Sequence, residues 1–282
     1  MIGAIIGDIV GSPYEFHNIK TKEFELFCDR CIFTDDTILT CAVAEWLTDD
    51  KSDAKEMLLK WGKRYQNRTY ENGSIQAFGK GFTTFLETEE QTCCKTNGCV
   101  MRLSPIFTAF EDKEQALQKA FELTKITHNH LESFQAVGAY IETGFLLKKK
   151  VSPQTIKNYI GHKYGYDLSK SVDEIRPIYN KFYCTCKNSV PQAIVAALDA
   201  NSFEDALRNA VSLGGDSDTL AAMAGGLAEI RFGVPKSVRA QALEYLDDDV
   251  LKALNDFEKK FSKKSKFMML FQPKKNKKVL DI

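Results

Sequence analysis

Two short stretches carry residues able to do chemistry together: Thr34-Asp35-Asp36-Thr37-Ile38-Leu39 and Asp216-Ser217-Asp218-Thr219-Leu220. Each sets two carboxylates and two hydroxyls directly before an apolar run. Asp and Thr are favoured at a helix N-cap and in its first turn, where they meet free N–H groups and the positive end of the helix dipole. Either stretch, taken alone, reads as a cap. A cap uses one side-chain oxygen, however, and further carboxylates on the same turn repel one another. If the two stretches face each other, Asp35, Asp36, Asp216 and Asp218 need cations between them. With only oxygens on offer, hard ions such as Mg²⁺, Mn²⁺ or Ca²⁺ suit the set and zinc does not. The dipole opposes a cation at a helix mouth, which is why several acids would be needed. Gly214-Gly215 permits a sharp bend that turns Asp216 and Asp218 inward.

The elements that must position these residues read as helices almost throughout. Thr37–Leu47 is apolar on most faces and predicts a buried helix. Ala54–Tyr65, Lys113–Thr127 and Leu131–Lys150 predict amphipathic helices with polar outer faces. Ser152-Pro153 and Val190-Pro191 each predict a helix start, with proline in the first turn. Ser202 with Asp205 resembles a capping box ahead of a further helix. Gly233 and Pro235 stop the helix that begins near Thr219. Gly3, Gly7 and Gly11 recur every fourth residue, a bare stripe that lets another backbone approach closely at the core. About a dozen helices and no strand follow, and the expected fold is all-α, in a single domain over 1–262 with a lysine-rich tail over 263–282.

Composition narrows the partners. The 282 residues are 44% hydrophobic and 27% charged, enough for a sizeable core. Lys+Arg and Asp+Glu both total 38, so no overall field favours nucleic acid or a membrane surface. No apolar run reaches the roughly 18 residues of a membrane span. The apolar opening MIGAIIGDIVGSPYEF lacks a basic flank and holds Asp8, unlike a secretory signal. Eight scattered cysteines in a chain with ample core suggest free thiols and a reducing cytoplasm. The tail holds the one charge bias: nine lysines and no acid between Lys259 and Lys278, interleaved with FMMLF. Contact with a polyanion or a membrane is one reading of it, and a solvated helix end the other.

In combination these residues resemble the ADP-ribosylglycohydrolase family. GAIIGDIVGSPYEF (3–16) resembles the family's opening helix and its glutamate near the metals. FTDDTIL (33–39), NGCVMRLSPI (97–106) and ITHNH (126–130) resemble its first metal motif, its Asn-Gly motif and its Thr-His-x-His stretch. NSVPQAIVAAL (188–198) and SLGGDSDTLAAMAGGLAEIRFG (212–233) resemble its C-terminal half. The motifs occur in the family's order, and only the lysine-rich tail lies outside the likeness.

The resemblance implies an all-helical domain with two divalent metals, Mg²⁺ or Mn²⁺, at the bottom of a cleft. By motif, Thr34, Asp35 and Asp36 would be ligands from one side, and Asp216, Asp218 and Thr219 from the other, with Ser217 pointing away. Glu15 matches the glutamate beside the metals; Asn97, Gly98, Cys99 and His128 match positions lining an ADP-ribose cleft. The implied activity is hydrolysis of an N- or O-glycosidic bond between ADP-ribose and a protein or small-molecule acceptor, arginine first, by a monomer. Glu15, Asp36 and Asp218 are the candidates for proton transfer in such a reaction. One departure bears on the acceptor. AFGKGFTTF (77–85) lacks the acid that the arginine-directed pattern carries there, and Glu71 or Glu87 would have to substitute.

Other readings stand beside this one. A catalytically silent ADP-ribose binder or a structural use of the fold has no need of both acid clusters. A metal-dependent phosphohydrolase would share the hard-ion site, but no Arg or Lys cluster stands near it in sequence. Cys28-x-x-Cys31 with His128 and His130 would suit zinc, although a single Cys-x-x-Cys is a weak signal and buried thiols explain it better. Cys184-x-Cys186 reads as packing. Tyr14, Phe16 and Phe78 suit either adenine stacking or core packing.

Overall fold

The structure, a computed structural model, describes residues 1–68 and 78–270, with side chains as far as 261. The lysine-rich tail and Glu71 therefore lie outside the described side chains. Among the described residues the chain forms helices and no strands. The first half holds α1 (Ile2–Gly11), α2 (Asp35–Thr48), α3 (Ala54–Tyr65), α4 (Lys80–Thr88), α5 (Ser104–Ala109), α6 (Lys113–Thr127) and α7 (Leu131–Lys148). The second half holds α8 (Pro153–Tyr164), α9 (Val172–Ile175), α10 (Cys186–Leu198), α11 (Phe203–Leu213), α12 (Ser217–Phe232), α13 (Lys236–Leu243) and α14 (Asp248–Leu270). No described helix is long and apolar enough to cross a membrane.

Two helices form the centre. Every residue of α1 is buried, as is every residue of α12 from Ser217 to Ala228. A helix apolar on all faces can only be stable when surrounded, and α12 is flanked by α1, α7, α10 and α11. The glycine stripe explains how α1 and α12 meet. A Cβ on Gly7 would stand 2.0 Å from the Ala221 carbonyl oxygen, and one on Gly3 2.4 Å from that of Gly225. Gly225 reciprocates, since its Cβ would lie 2.1 Å from the Gly3 oxygen. Backbone lies directly on backbone, a contact no larger residue permits. Ser217, from the first turn of α12, donates to the Gly11 carbonyl at 3.0 Å and closes the far end of the same seam.

Most helix boundaries follow their sequence signals. Ser152 caps α8 with Pro153 in the first turn, and Gly233, at φ +72°, ends α12. Ser202 accepts from the Asp205 N–H at 3.0 Å, but the Asp205 carboxylate reaches the Asn201 N–H at 2.9 Å, so the box closes one residue early. Val190-Pro191 is a correction. Pro191 sits inside α10, which begins at Cys186. Tertiary contacts move that start: the Cys186 N–H is held by the Lys95 carbonyl at 2.9 Å and its thiol is buried.

Candidate metal centre

The first question is what caps the two acid-bearing helices. Thr34 is the N-cap of α2, but its hydroxyl accepts from the Asp36 N–H only at 3.4 Å. The stronger cap comes from another helix. Asp8, in the middle of α1, accepts from the Thr34 N–H at 2.9 Å and the Thr37 N–H at 3.0 Å. The hydroxyls of Thr34 and Thr37 also donate to it, at 2.7 Å and 2.5 Å. One buried carboxylate thus satisfies the N-terminus of α2 and releases Asp35 and Asp36 from capping. The charged residue in an otherwise apolar, glycine-striped helix was the sequence signal for it.

The second helix mouth is freed differently. Asp216 occupies the N-cap of α12 but makes no side-chain cap bond. Its carboxylate accepts instead from the Asn97 side-chain amide at 2.7 Å. The bend that aims it uses two left-handed glycines, Gly214 at φ +71° and Gly215 at φ +74°. Asn18 clamps this bend, accepting from the Gly215 N–H at 2.7 Å and donating to the Gly215 carbonyl at 2.9 Å. The same amide donates to the carbonyls of Tyr14 and Glu15, at 2.7 Å and 2.9 Å, and so registers Glu15 against the bend. Nothing in the spacing of the sequence singled out Asn18.

The clusters meet. Asp8, Asp36 and Asp218 each offer an oxygen within 4.8 Å of the others, and so do Glu15, Asp216 and Asp218. Asp218 belongs to both groups. Hydroxyls stitch the two helix mouths together: Thr219 donates to Asp36 at 3.0 Å, and Thr34 reaches Asp218 at 3.5 Å. Asp35 joins neither triad, and stands half-buried at the edge.

Burial and mutual repulsion hold these acids toward their neutral forms. Asp36 and Asp218 are pushed well above the usual carboxylate range, first by burial and then by neighbouring carboxylates. Burial also raises Asp8 and Asp216, against the hydrogen bonds that they accept. Glu15 rises to about 8 and Asp35 to about 7, each through burial and then the charges of adjacent acids. One oxygen of Asp36 is buried without a hydrogen-bond partner among the described residues. An all-oxygen donor set, repelling itself and ending in an orphaned carboxylate oxygen, fits a hard divalent cation.

The remaining candidates stand around this core. Asn97–Cys99 forms a 3₁₀ turn, with only Asn97 touching the acids. Gly98 faces His128, whose ring would lie 3.7 Å from a Cβ placed there. The Cys99 thiol points into the core, 3.6 Å from that of Cys186. His128 is buried and bonds Thr127 and Thr96, not the acids. His130 caps α7, accepting from the Glu132 N–H at 3.1 Å. Cys28 and Cys31 lie 3.8 Å apart, and burial raises the Cys31 thiol to about 12. No cysteine or histidine joins a convergent ligand group among the described residues, so the zinc reading has no support. All eight cysteines are unpaired. Glu87 is exposed on α4, and Tyr14 and Phe78 are core residues, while Phe16 stacks on Phe182 at the surface.

Asp8→Ala should leave three donors at the mouth of α2 without a described partner and the Thr34 hydroxyl with only its 3.5 Å contact to Asp218. Each unsatisfied buried donor costs about 1–3 kcal/mol, offset in part by removing one repelled charge, so a net loss of about 3 kcal/mol is expected. Urea unfolding measures it, and a variant as stable as wild type would show that Asp8 is not the cap of α2.

Comparisons with known proteins follow the same outline. A family model described as ADP-ribosylglycohydrolase matches residues 1–267. A solved structure described as an ADP-ribosylglycohydrolase-related protein complex superposes with a TM-score of 0.64 at 21% identity. The match covers 91% of this chain and 96% of that one, and at such identity it speaks for the fold.

Proposed function

The chain belongs to the ADP-ribosylglycohydrolase family, and from that premise we propose that it is a divalent-metal-dependent hydrolase releasing ADP-ribose from an ADP-ribosylated acceptor. The observation that carries the reading is the pair of carboxylate triads sharing Asp218, with a buried Asp36 oxygen left unpartnered. Capping accounts for Asp8 alone; the other clustered acids repel one another, and Asp36 keeps a buried oxygen that no described hydrogen bond satisfies.

In this reading Asp36, Asp216 and Asp218 hold two cations, Mg²⁺ or Mn²⁺, with Asp35 and the hydroxyls of Thr34 and Thr219 completing the set. Divalent cations bound there would offset the clustered charge, orient ribose hydroxyls and acidify water. The protein's own contribution is preorganisation. Asp8 fixes the mouth of α2, Asn97 fixes Asp216, and Asn18 fixes the bend and the backbone of Glu15. Glu15 is the proton carrier of the proposal. It is half-buried and its carboxyl oxygen lies within 4.8 Å of oxygens of Asp216 and Asp218, which places it to take or give a proton beside whatever those acids hold. Loss of the acceptor from ribose C1 passes through an oxocarbenium-like state and needs both water activation and a proton for the leaving group.

The test is a panel of arginine-, serine- and nucleic-acid-linked ADP-ribose with Mg²⁺, Mn²⁺ or EDTA, with arginine the first acceptor to try. Release of free ADP-ribose with metal and its loss in EDTA are expected. Equal release in EDTA would refute metal dependence, and no release from any linkage would refute the reaction. Glu15→Gln should lower kcat by about 100-fold, the usual worth of a positioned proton carrier. An unchanged kcat would remove Glu15 from the chemistry.

A further inference from the structure

Behind the Asn97 turn lies a buried arginine with no carboxylate against it. Arg102 is fully buried, and among the described residues its one hydrogen bond runs from Nη2 to the Thr127 hydroxyl at 2.5 Å. Its Nε and Nη1 have no partner among those residues. From Thr127 a chain continues outward. The Thr127 hydroxyl lies 2.8 Å from His128 Nδ1, and His128 Nε2 lies 3.1 Å from the Thr96 hydroxyl. Thr96 Oγ1 in turn lies 3.0 Å from the Cys94 thiol. Thr96 is half-buried and directly precedes Asn97, which holds Asp216.

Donor accounting orders this chain. A guanidinium can only donate, so Thr127 accepts from Arg102, and its own buried hydrogen is satisfied among the described residues only if it points at His128 Nδ1. Nδ1 is then the bare nitrogen and Nε2 carries the proton, which it donates to Thr96. The Thr96 hydrogen is left facing only a thiol, a weak acceptor that a ligand oxygen readily replaces. The charge on Arg102 strengthens the first bond and polarises those that follow.

We propose that Arg102 and Thr127 are positioning residues that lock His128 as its Nε2–H tautomer, so that the Thr96 hydroxyl is presented as a donor to an oxygen of the ligand bound beside the carboxylates. The ligand end of this relay rests on the glycohydrolase reading; the tautomer does not. Burial and the Arg102 charge push His128 down to about 3, in keeping with an imidazole that stays neutral.

The chain has only four histidines, so ¹⁵N-labelling them gives a simple spectrum in which His128 can be assigned. Wild-type protein should show a protonated Nε2 and bare Nδ1, unchanged between pH 5 and 9. Thr127→Val should lose this preference and Thr127→Ser should keep it, a rescue that loss of packing alone would not produce. Thr96→Val, on a partly exposed turn, should keep the tautomer while weakening Mg²⁺-dependent ADP-ribose binding about tenfold by calorimetry. A protonated Nδ1 in the wild type would overturn the relay even in an enzyme that hydrolyses its substrate. Unchanged ADP-ribose affinity in Thr96→Val would overturn its ligand end. Wild-type protein with the expected tautomer that neither binds nor releases ADP-ribose would overturn the glycohydrolase reading, and the ligand end with it.

Discussion

Asp218→Asn should lower ADP-ribose release by on the order of 10³-fold or more, while raising the melting temperature of the metal-free protein. Both effects come from one position, because Asp218 is the acid common to both triads. Losing it removes a ligand oxygen from each group, and every 1.36 kcal/mol of transition-state stabilisation lost is a further tenfold. Without metal the same carboxylate is a burden, buried among Glu15, Asp216, Asp36 and Asp8 and driven well above the usual range. Asparagine keeps its shape and removes the repulsion.

The sign of the pH dependence follows. Unfolded Glu and Asp lose their protons near pH 4, whereas folded Glu15 and Asp35 keep theirs to about 8 and about 7. Between those limits the folded state binds more protons than the unfolded one. The contribution of these groups to stability is therefore complete below about pH 4 and is lost as pH rises to about 8. Metal-free wild type should accordingly melt at falling temperature across that window, and Asp218→Asn should show a shallower fall. Adding Mg²⁺ or Mn²⁺ at 100 times its dissociation constant should stabilise the wild type by about 2.7 kcal/mol. An equal metal-induced shift in Asp218→Asn would remove Asp218 from the metal site.

Gly7→Ala should destabilise the fold by about 3 kcal/mol or more, or prevent folding. The added methyl would meet the Ala221 carbonyl oxygen at 2.0 Å and carbon at 2.3 Å, and the Ala222 nitrogen at 2.6 Å. All three are backbone atoms of a fully surrounded helix, so no side chain can swing aside. Relief requires α1 and α12 to separate, which would also part Asp8 from Asp218. Gly79→Ala is the matched control: among the described residues nothing lies within 4 Å of its would-be Cβ, and its φ of −55° suits any residue. Thermal unfolding of the two variants should differ by on the order of 5–10 °C. Equal stability would mean that α1 and α12 are not in direct backbone contact at Gly7.

Much of this was legible in the sequence because it depends on local pattern. A helix apolar on most faces must be buried, which marks the helix after TDDT before any contact is known, and an apolar run likewise follows DSDT. Glycines every fourth residue predicted a backbone-on-backbone seam, and the pair at 214 and 215 predicted a bend. Pro191 reads as a helix start from sequence, yet lies inside α10, because its local signal is the same whether a helix starts there or began a turn earlier. Only the anchoring of Cys186 to Lys95 distinguishes the two.

By itself the sequence determined that two acid-rich helix mouths exist, that their helices are buried, and that any ion they hold must be a hard one. Those conclusions rest on residue type and period, which are properties of adjacent positions. Only the tertiary structure decided that the mouths face each other and that Asp218 is shared between the triads. It also decided that Asp8 takes the Thr34 and Thr37 N–H groups at the mouth of α2 and that Asn97 holds the Asp216 carboxylate. The physical reason is the α1–α12 seam: once two backbones are in contact, the side chains at its end have no freedom to avoid one another. What reads locally as an over-capped helix becomes, across the 183 residues between Asp36 and Thr219, a cluster of buried carboxylates that repel one another and are held toward their neutral forms.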